Sequence, residues 1–231
     1  EFVKALAEKE VFSGKAEEVY FSMNEKFECN LLIGLGKEEN IEFDMLRKTF
    51  FKVAEVLLKN KVAEVELNIP KLNNLCNYKL AEAIAEGMLH ATYKFDKFKS
   101  EKKETPELIV NYNPIPGKEH RAEKGIDEAK KLIESIFLTR DLVNQPANVI
   151  YPETLADITK ERLEAKGVKV TVYGKKEIEE IGMEAFLTVA RASAKEPKLI
   201  VMEYYNNPES DERIALVGKG LTYDSGGYAI K

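Results

Sequence analysis

The stretch Asp44-Met-Leu-Arg-Lys-Thr-Phe-Phe-Lys-Val-Ala-Glu-Val-Leu-Leu-Lys59, followed closely by Val62-Ala-Glu-Val-Glu-Leu-Asn-Ile69, decides the fold. Leu46, Phe50, Val53, Leu57 and Leu58 return to one side of a helix, which gives the first segment an apolar stripe to bury. The second is a strand pattern, ended by Pro70, which cannot donate to a sheet. Upstream, Val19–Met23 and Asn30–Leu35 also read as strands. Downstream, Tyr78–Tyr93 is an amphipathic helix, and Leu108-Ile-Val-Asn-Tyr112 is a strand running into a Pro-Ile-Pro-Gly loop. Strands separated by helices predict an α/β domain with a largely parallel or mixed sheet over residues 1–120, ending near Lys118. Gly34-Leu-Gly36 resembles the start of a dinucleotide fingerprint, but Glu39 stands at the third-glycine position, so a tight strand-to-helix turn is the better reading.

Residues 121–150 are read as a connecting helix and linker. A helical pattern runs from Arg121 to Val143 through Ile126, Ala129, Leu132, Ile133, Ile136 and Leu138, and Pro146 and Pro152 then break it. Residues 151–231 form a second α/β unit. Its expected elements are a helix over Pro152–Ala165, a strand at Val168–Tyr173, one or two short helices within Ile178–Ala190, and strands at Leu199–Tyr204 and Ile214–Val217. The unit is short for a domain and ends on a strand-and-turn signal, so it is expected to be only the N-terminal part of one.

Bulk composition narrows the classes of function. The 231 residues are 44% hydrophobic and 32% charged, with 35 basic and 40 acidic side chains giving a net charge of −5. The two signs are interleaved, so nothing favours nucleic acid or an anionic membrane. No apolar stretch approaches the roughly 20 residues that span a bilayer, and no secretory signal pattern opens the chain. A cytoplasmic protein with two reduced, mostly buried thiols, Cys29 and Cys76, is expected.

Chemistry concentrates in Val217-Gly-Lys-Gly-Leu-Thr-Tyr-Asp-Ser-Gly-Gly-Tyr-Ala-Ile-Lys231. Solvated charges on a surface turn are the plain alternative. Against it, Lys219 lies between two glycines beyond the apolar run Ile214–Val217, which is expected to be a buried strand. A carboxylate such as Asp224 suits a hard or borderline cation, and lysine can join it only as the neutral amine. A phosphate-binding loop fails because no Gly-Lys pair precedes Ser or Thr, and a nucleophile elbow fails because Tyr223 stands at its first glycine. His90 and His120 lack any pattern of zinc ligands around them and are expected to be structural or exposed. Phe95, Phe98, Tyr204 and Tyr205 are assigned to core or interface packing.

The same segment resembles the metal-binding signature of the leucine aminopeptidase, or cytosol aminopeptidase, family of two-metal exopeptidases. Glu86–Ser100, Arg140–Pro152 and Ile181–Arg191 are similar to that family as well, so the resemblance covers most of the chain and is strongest from Glu86 onward. It implies a macro-domain-like N-terminal domain and metal-dependent release of leucine-type N-terminal residues from peptides. By that resemblance Lys219 and Asp224 would ligate two divalent ions, Mn²⁺ or Zn²⁺ foremost with Mg²⁺ or Co²⁺ as alternatives, and Lys231 would polarise the scissile carbonyl. Bicarbonate and a homohexamer are implied for the full enzyme. Tyr223 and Ala229 depart from the usual Phe and Ser at positions that do not ligate. The family's second carboxylate motif is not in these 231 residues, so the chain is expected to be truncated within its catalytic domain and inactive alone. The alternative is a non-catalytic oligomerisation or ligand-binding α/β module.

Overall fold

A computed structural model describes residues 2–25, 28–68, 71–72, 75–102 and 107–224. The chain divides into two compact units, Glu1–Asp141 and Leu142–Lys231.

The first unit begins with a helix absent from the sequence expectations, α1 (Phe2–Glu8), followed by β1 (Val19–Met23) and β2 (Cys29–Ile33). A single 3₁₀ turn over Glu38–Asn40 leads into α2 (Phe43–Lys59). Then come β3 (Glu64–Asn68), α3 (Asn77–His90), β4 (Ile109–Asn113) and α4 (Glu119–Asn144), whose last residues lie past the unit boundary. β1 and β2 form an antiparallel pair with Val19 opposite Ile33, whereas β3 and β4 run parallel with Glu64 opposite Ile109. Parallel neighbours need a crossover, and α3 is that crossover.

The apolar stripe of α2 is buried as its spacing requires. Leu46, Phe50, Val53, Ala54 and Leu57 are each at most 2% exposed and form one cluster with Leu67 of β3 and Leu80, Ala83, Ile84 and Met88 of α3. Burying one such side chain contributes about 1.5–3 kcal/mol. The two helices meet at backbone distance: a Cβ on Gly87 would lie 2.4 Å from the Arg47 carbonyl oxygen. Beside this contact the Arg47 guanidinium spans both oxygens of the buried Glu86 carboxylate and also reaches Asp44 at 3.2 Å. The hydrogen bond to Glu86 raises the pKa of Arg47 above its already high usual value.

Along α4, Ala122, Gly125, Ala129 and Ile133 are buried. Asn77, at the start of α3, donates to the Lys118 carbonyl at 3.1 Å. The Gly34-Leu-Gly36 turn has the tight geometry that glycine permits. A Cβ on Gly34 would collide with the Lys15 carbonyl at 2.1 Å, and Gly36 has φ +70°.

The second unit contains α5 (Pro152–Glu164), β5 (Lys169–Tyr173), α6 (Lys175–Ile181), α7 (Glu184–Ala190) and β6 (Leu199–Glu203). Pro152 occupies the first turn of α5, where no amide donor is required. The Tyr151 amide donates to Thr154 Oγ1 at 3.0 Å, and that hydroxyl donates to the Val149 carbonyl at 2.8 Å. β5 and β6 are antiparallel with Lys169 opposite Glu203, and the two side chains join at 2.8 Å. This bond lowers the pKa of Glu203 and raises that of Lys169.

Three expectations are corrected. Ile214–Val217 is not a strand: it has irregular backbone, with Ile214, Leu216 and Val217 84%, 95% and 97% exposed. A strand exists only where a neighbour pairs its amides and carbonyls, and no described strand pairs with this run. Neither Cys29 nor Cys76 is in a disulfide, but both are exposed rather than buried. Cys29 opens a strand that pairs on one side, and Cys76 precedes α3, so neither points into a packed core. Tyr204, Tyr205 and Phe98 are more than half exposed and so are not core residues; the Tyr205 hydroxyl donates to Glu203 at 2.8 Å and its ring lies 4.7 Å from the Arg213 guanidinium. Phe98 packs its edge against Phe95.

Candidate metal centre

The glycine-rich segment begins at Val217, well after β6, the last described strand, within irregular backbone that runs from Tyr204 through Asp224. Gly218 and Gly220 flank Lys219, and a Cβ on either would meet nothing within 4 Å. The chain bends so that two candidate ligands five residues apart converge. Lys219 Nζ donates to Asp224 Oδ2 at 3.3 Å. The lysine side chain is 72% exposed and the aspartate 30%, so the pair is open to solvent on the lysine side. Lys231, the third candidate, lies outside the described residues, as do Ser225, Gly226 and Gly227. Among the described residues no group of three or more His, Cys, Asp or Glu side chains could hold a metal ion.

The donor chemistry is that of a partial metal site. Asp224 offers a carboxylate, and Lys219 offers a nitrogen that ligates only when deprotonated, which a dication beside it favours. One ammonium and one carboxylate in contact conserve charge, and an incoming cation would replace the lysine's proton as the positive partner of Asp224.

The two histidines stand apart from this segment. His90 meets Phe137 edge-on with ring centroids 6.3 Å apart, and burial together with nearby Arg140 lowers its pKa. Arg140 lies 3.7 Å above the Tyr93 ring, whose hydroxyl donates to Asp141 at 3.0 Å. His120 is exposed on the first turn of α4.

Sequence reasoning missed the Arg47–Glu86 pair. A signal existed: Glu86 sits among Ala83, Ile84, Gly87 and Met88, all buried in α3. A carboxylate in that register requires a cationic partner, because burying it alone costs several kcal/mol.

Two family models match the chain: the N-terminal domain of the cytosol aminopeptidase family over residues 1–102, and the catalytic domain of the same family over residues 137–231. The chain belongs to the cytosol aminopeptidase family. A probable cytosol aminopeptidase of Treponema denticola is 76% identical over 230 residues, covering all of this chain and 48% of the relative. A probable cytosol aminopeptidase of Clostridium tetani is 44% identical over 98% of this chain and 47% of the relative. The chain thus spans about half the length of the curated relatives it matches.

Among solved structures, a variant of tomato leucine aminopeptidase superposes with a TM-score of 0.84 at 25% identity, over 98% of this chain and 46% of that one. The bottromycin maturation enzyme BotP, also solved in complex with Mn, shares the fold at 22% identity, with TM-scores of 0.75 and 0.73 over 87% of this chain. The α/β fold class read from the sequence agrees with these neighbours.

Proposed function

We propose that the protein containing this chain is a metal-dependent aminopeptidase that releases leucine-type N-terminal residues from peptides, with Lys219 and Asp224 among its metal ligands. The observation that carries this reading is the 3.3 Å approach of Lys219 Nζ to Asp224 Oδ2 inside the stretch matched by the catalytic-domain model. An exposed lysine and carboxylate also pair on ordinary surfaces, so the weight rests on the place of this pair, within the glycine-rich stretch that the catalytic-domain model matches. The family and the Mn complex of a structural neighbour support divalent ions as the occupants. Mn²⁺ or Zn²⁺ fits the mixed nitrogen and oxygen donors, while Mg²⁺ and Co²⁺ remain compatible with the carboxylate.

Paired divalent ions supply an activated water and neutralise developing negative charge. Asp224 supplies a carboxylate at that point, and Lys219 supplies a nitrogen once its proton has left. Lys231 is assigned the carbonyl: a cation held there would stabilise the oxyanion that forms when the peptide bond is attacked. Selectivity for a free N-terminus follows if the substrate amine occupies a place that an internal peptide nitrogen cannot. Bicarbonate, a hexameric assembly and a cytoplasmic setting belong to this reading through the family. Among the described residues no helix is long and apolar enough to cross a membrane.

The test is hydrolysis of a leucine anilide by the full-length protein with Mn²⁺ or Zn²⁺. Turnover is expected, with Asp224→Ala reducing it to background and Lys231→Ala by roughly 10²–10³-fold. The 231-residue chain alone is expected to be inactive, because two side-chain donors do not complete a two-metal site. Full activity of the full-length Asp224→Ala variant would overturn the reading.

A further inference from the structure

The first unit contains a groove of about 970 Å³ that the proposed peptidase chemistry does not use. One wall is the whole of β2, Cys29–Ile33, and the other is the continuous run Lys61–Asn68 containing β3, with Phe50 and Leu57 of α2 contributing to the lining. Side chains alternate between the faces of a strand, so a groove on one face of a sheet touches every second residue. This groove touches every residue of both strands, which places it along their edges. Among the described residues β2 pairs only with β1, and β3 only with β4. The edges facing the groove are therefore rows of amides and carbonyls at regular spacing, a template for another extended backbone.

We infer that this groove receives one further β-strand, supplied by a segment of the full-length protein outside these 231 residues, which joins the β1–β2 and β3–β4 pairs into a single sheet. Three observations favour that occupant. A small molecule would leave most of the two backbone edges unsatisfied, whereas a strand pairs along both. The apolar floor, including Phe50 at 2% exposure and Leu57 at 1%, is continuous with the core of the unit, so the occupant completes a core rather than visiting a surface. The curated relatives are about twice the length of this chain, so the full-length protein has polypeptide available to supply the strand.

Cys29, exposed at one end of the groove, and Cys76, exposed outside it, provide a paired probe. The experiment compares the 231-residue chain with the full-length protein by native N-ethylmaleimide labelling and by amide hydrogen exchange, both read by mass spectrometry. In the full-length protein, Cys29 is expected to label roughly tenfold more slowly, with Cys76 unchanged. The groove-side amides of β2 and β3 are expected to exchange roughly a hundredfold more slowly there. Equal rates in the two proteins would overturn the inference. Slowing that extends equally to Cys76 would also overturn it, as general stabilisation. Protection that appears in the short chain and rises with its concentration would identify a second copy as the occupant and overturn the assignment to the same polypeptide.

Discussion

The contact between α2 and α3 and the segment from Ile214 to Asp224 both combine apolar residues with glycine, Gly87 in the first and Gly218 and Gly220 in the second, yet they end in opposite states. In the first, Phe50 is 2% exposed and Gly87 lies under the Arg47 carbonyl. In the second, Leu216 is 95% exposed and Gly220 has open space where a Cβ would be. The difference is one of partners. The helices find each other within a few dozen residues, whereas the apolar run at Ile214–Val217 has no described strand beside it. Apolar character specifies that a residue should be buried, and topology decides whether a partner is present to bury it.

The largest effect expected from this contrast comes from paired truncations. Phe50→Ala should destabilise the first unit by about 3–5 kcal/mol, while Leu216→Ala should change stability by less than about 0.5 kcal/mol. Urea unfolding followed by circular dichroism measures both, since the chain has no tryptophan to report. A Leu216→Ala cost comparable to that of Phe50→Ala would mean that the two regions are equally packed in solution.

The glycines give a second pair. A Cβ on Gly87 meets backbone atoms, namely the Arg47 oxygen at 2.4 Å and its carbon at 3.1 Å, which move only if α2 and α3 separate. Gly87→Ala should therefore cost about 1–3 kcal/mol by overpacking. Gly220→Ala, with nothing within 4 Å, should be nearly neutral for stability in the 231-residue chain. Thermal melts of both variants check this, and a neutral Gly87→Ala would show that the helices are further apart than 2.4 Å implies.

A smaller effect concerns pH. Burial and the Arg140 guanidinium hold the His90 pKa below its ordinary value near 6.5, against the weaker pull of Glu86. The unfolded chain then binds a proton more readily than the folded one. Stability from this source is complete above about pH 7 and falls as pH drops through the ordinary histidine range towards the lowered folded value. His90→Asn should flatten the pH dependence of the urea midpoint between pH 7 and 5, and an unchanged slope would assign that dependence to other groups.

These contrasts explain what the sequence could disclose. The 3.6-residue period of Leu46, Phe50, Val53 and Leu57 required one buried helix face, and the elements from β1 to β6 fall close to their expected places. The Ile214–Val217 strand was misread because an apolar run carries no information about whether a neighbouring strand is available. The exposed cysteines were misread for the related reason that a thiol's residue type predicts burial while its position at a strand or helix start does not supply it. α1 escaped because Phe2–Glu8 is too short for a periodic signal. At the candidate site, the motif named Lys219 and Asp224, but their 3.3 Å contact depends on the path of the intervening backbone. The Arg47–Glu86 pair needed the helix packing before its partner could be identified.

The last contrast separates stability from chemistry within the segment itself. Lys219 and Asp224 form an ion pair whose lysine is 72% exposed, and such pairs contribute about 0–1 kcal/mol because water already solvates both charges. Lys219→Ala should therefore leave the thermal midpoint of the 231-residue chain almost unmoved. If the pair is instead the beginning of a metal site, the same substitution in the full-length protein should weaken Mn²⁺ binding by roughly 10–100-fold, measured by calorimetry without any substrate present. A neutral melt with weakened metal binding places Lys219 in the site. A neutral melt with unchanged metal binding leaves it a solvated charge on a turn, the same state in which Leu216 stands relative to Phe50.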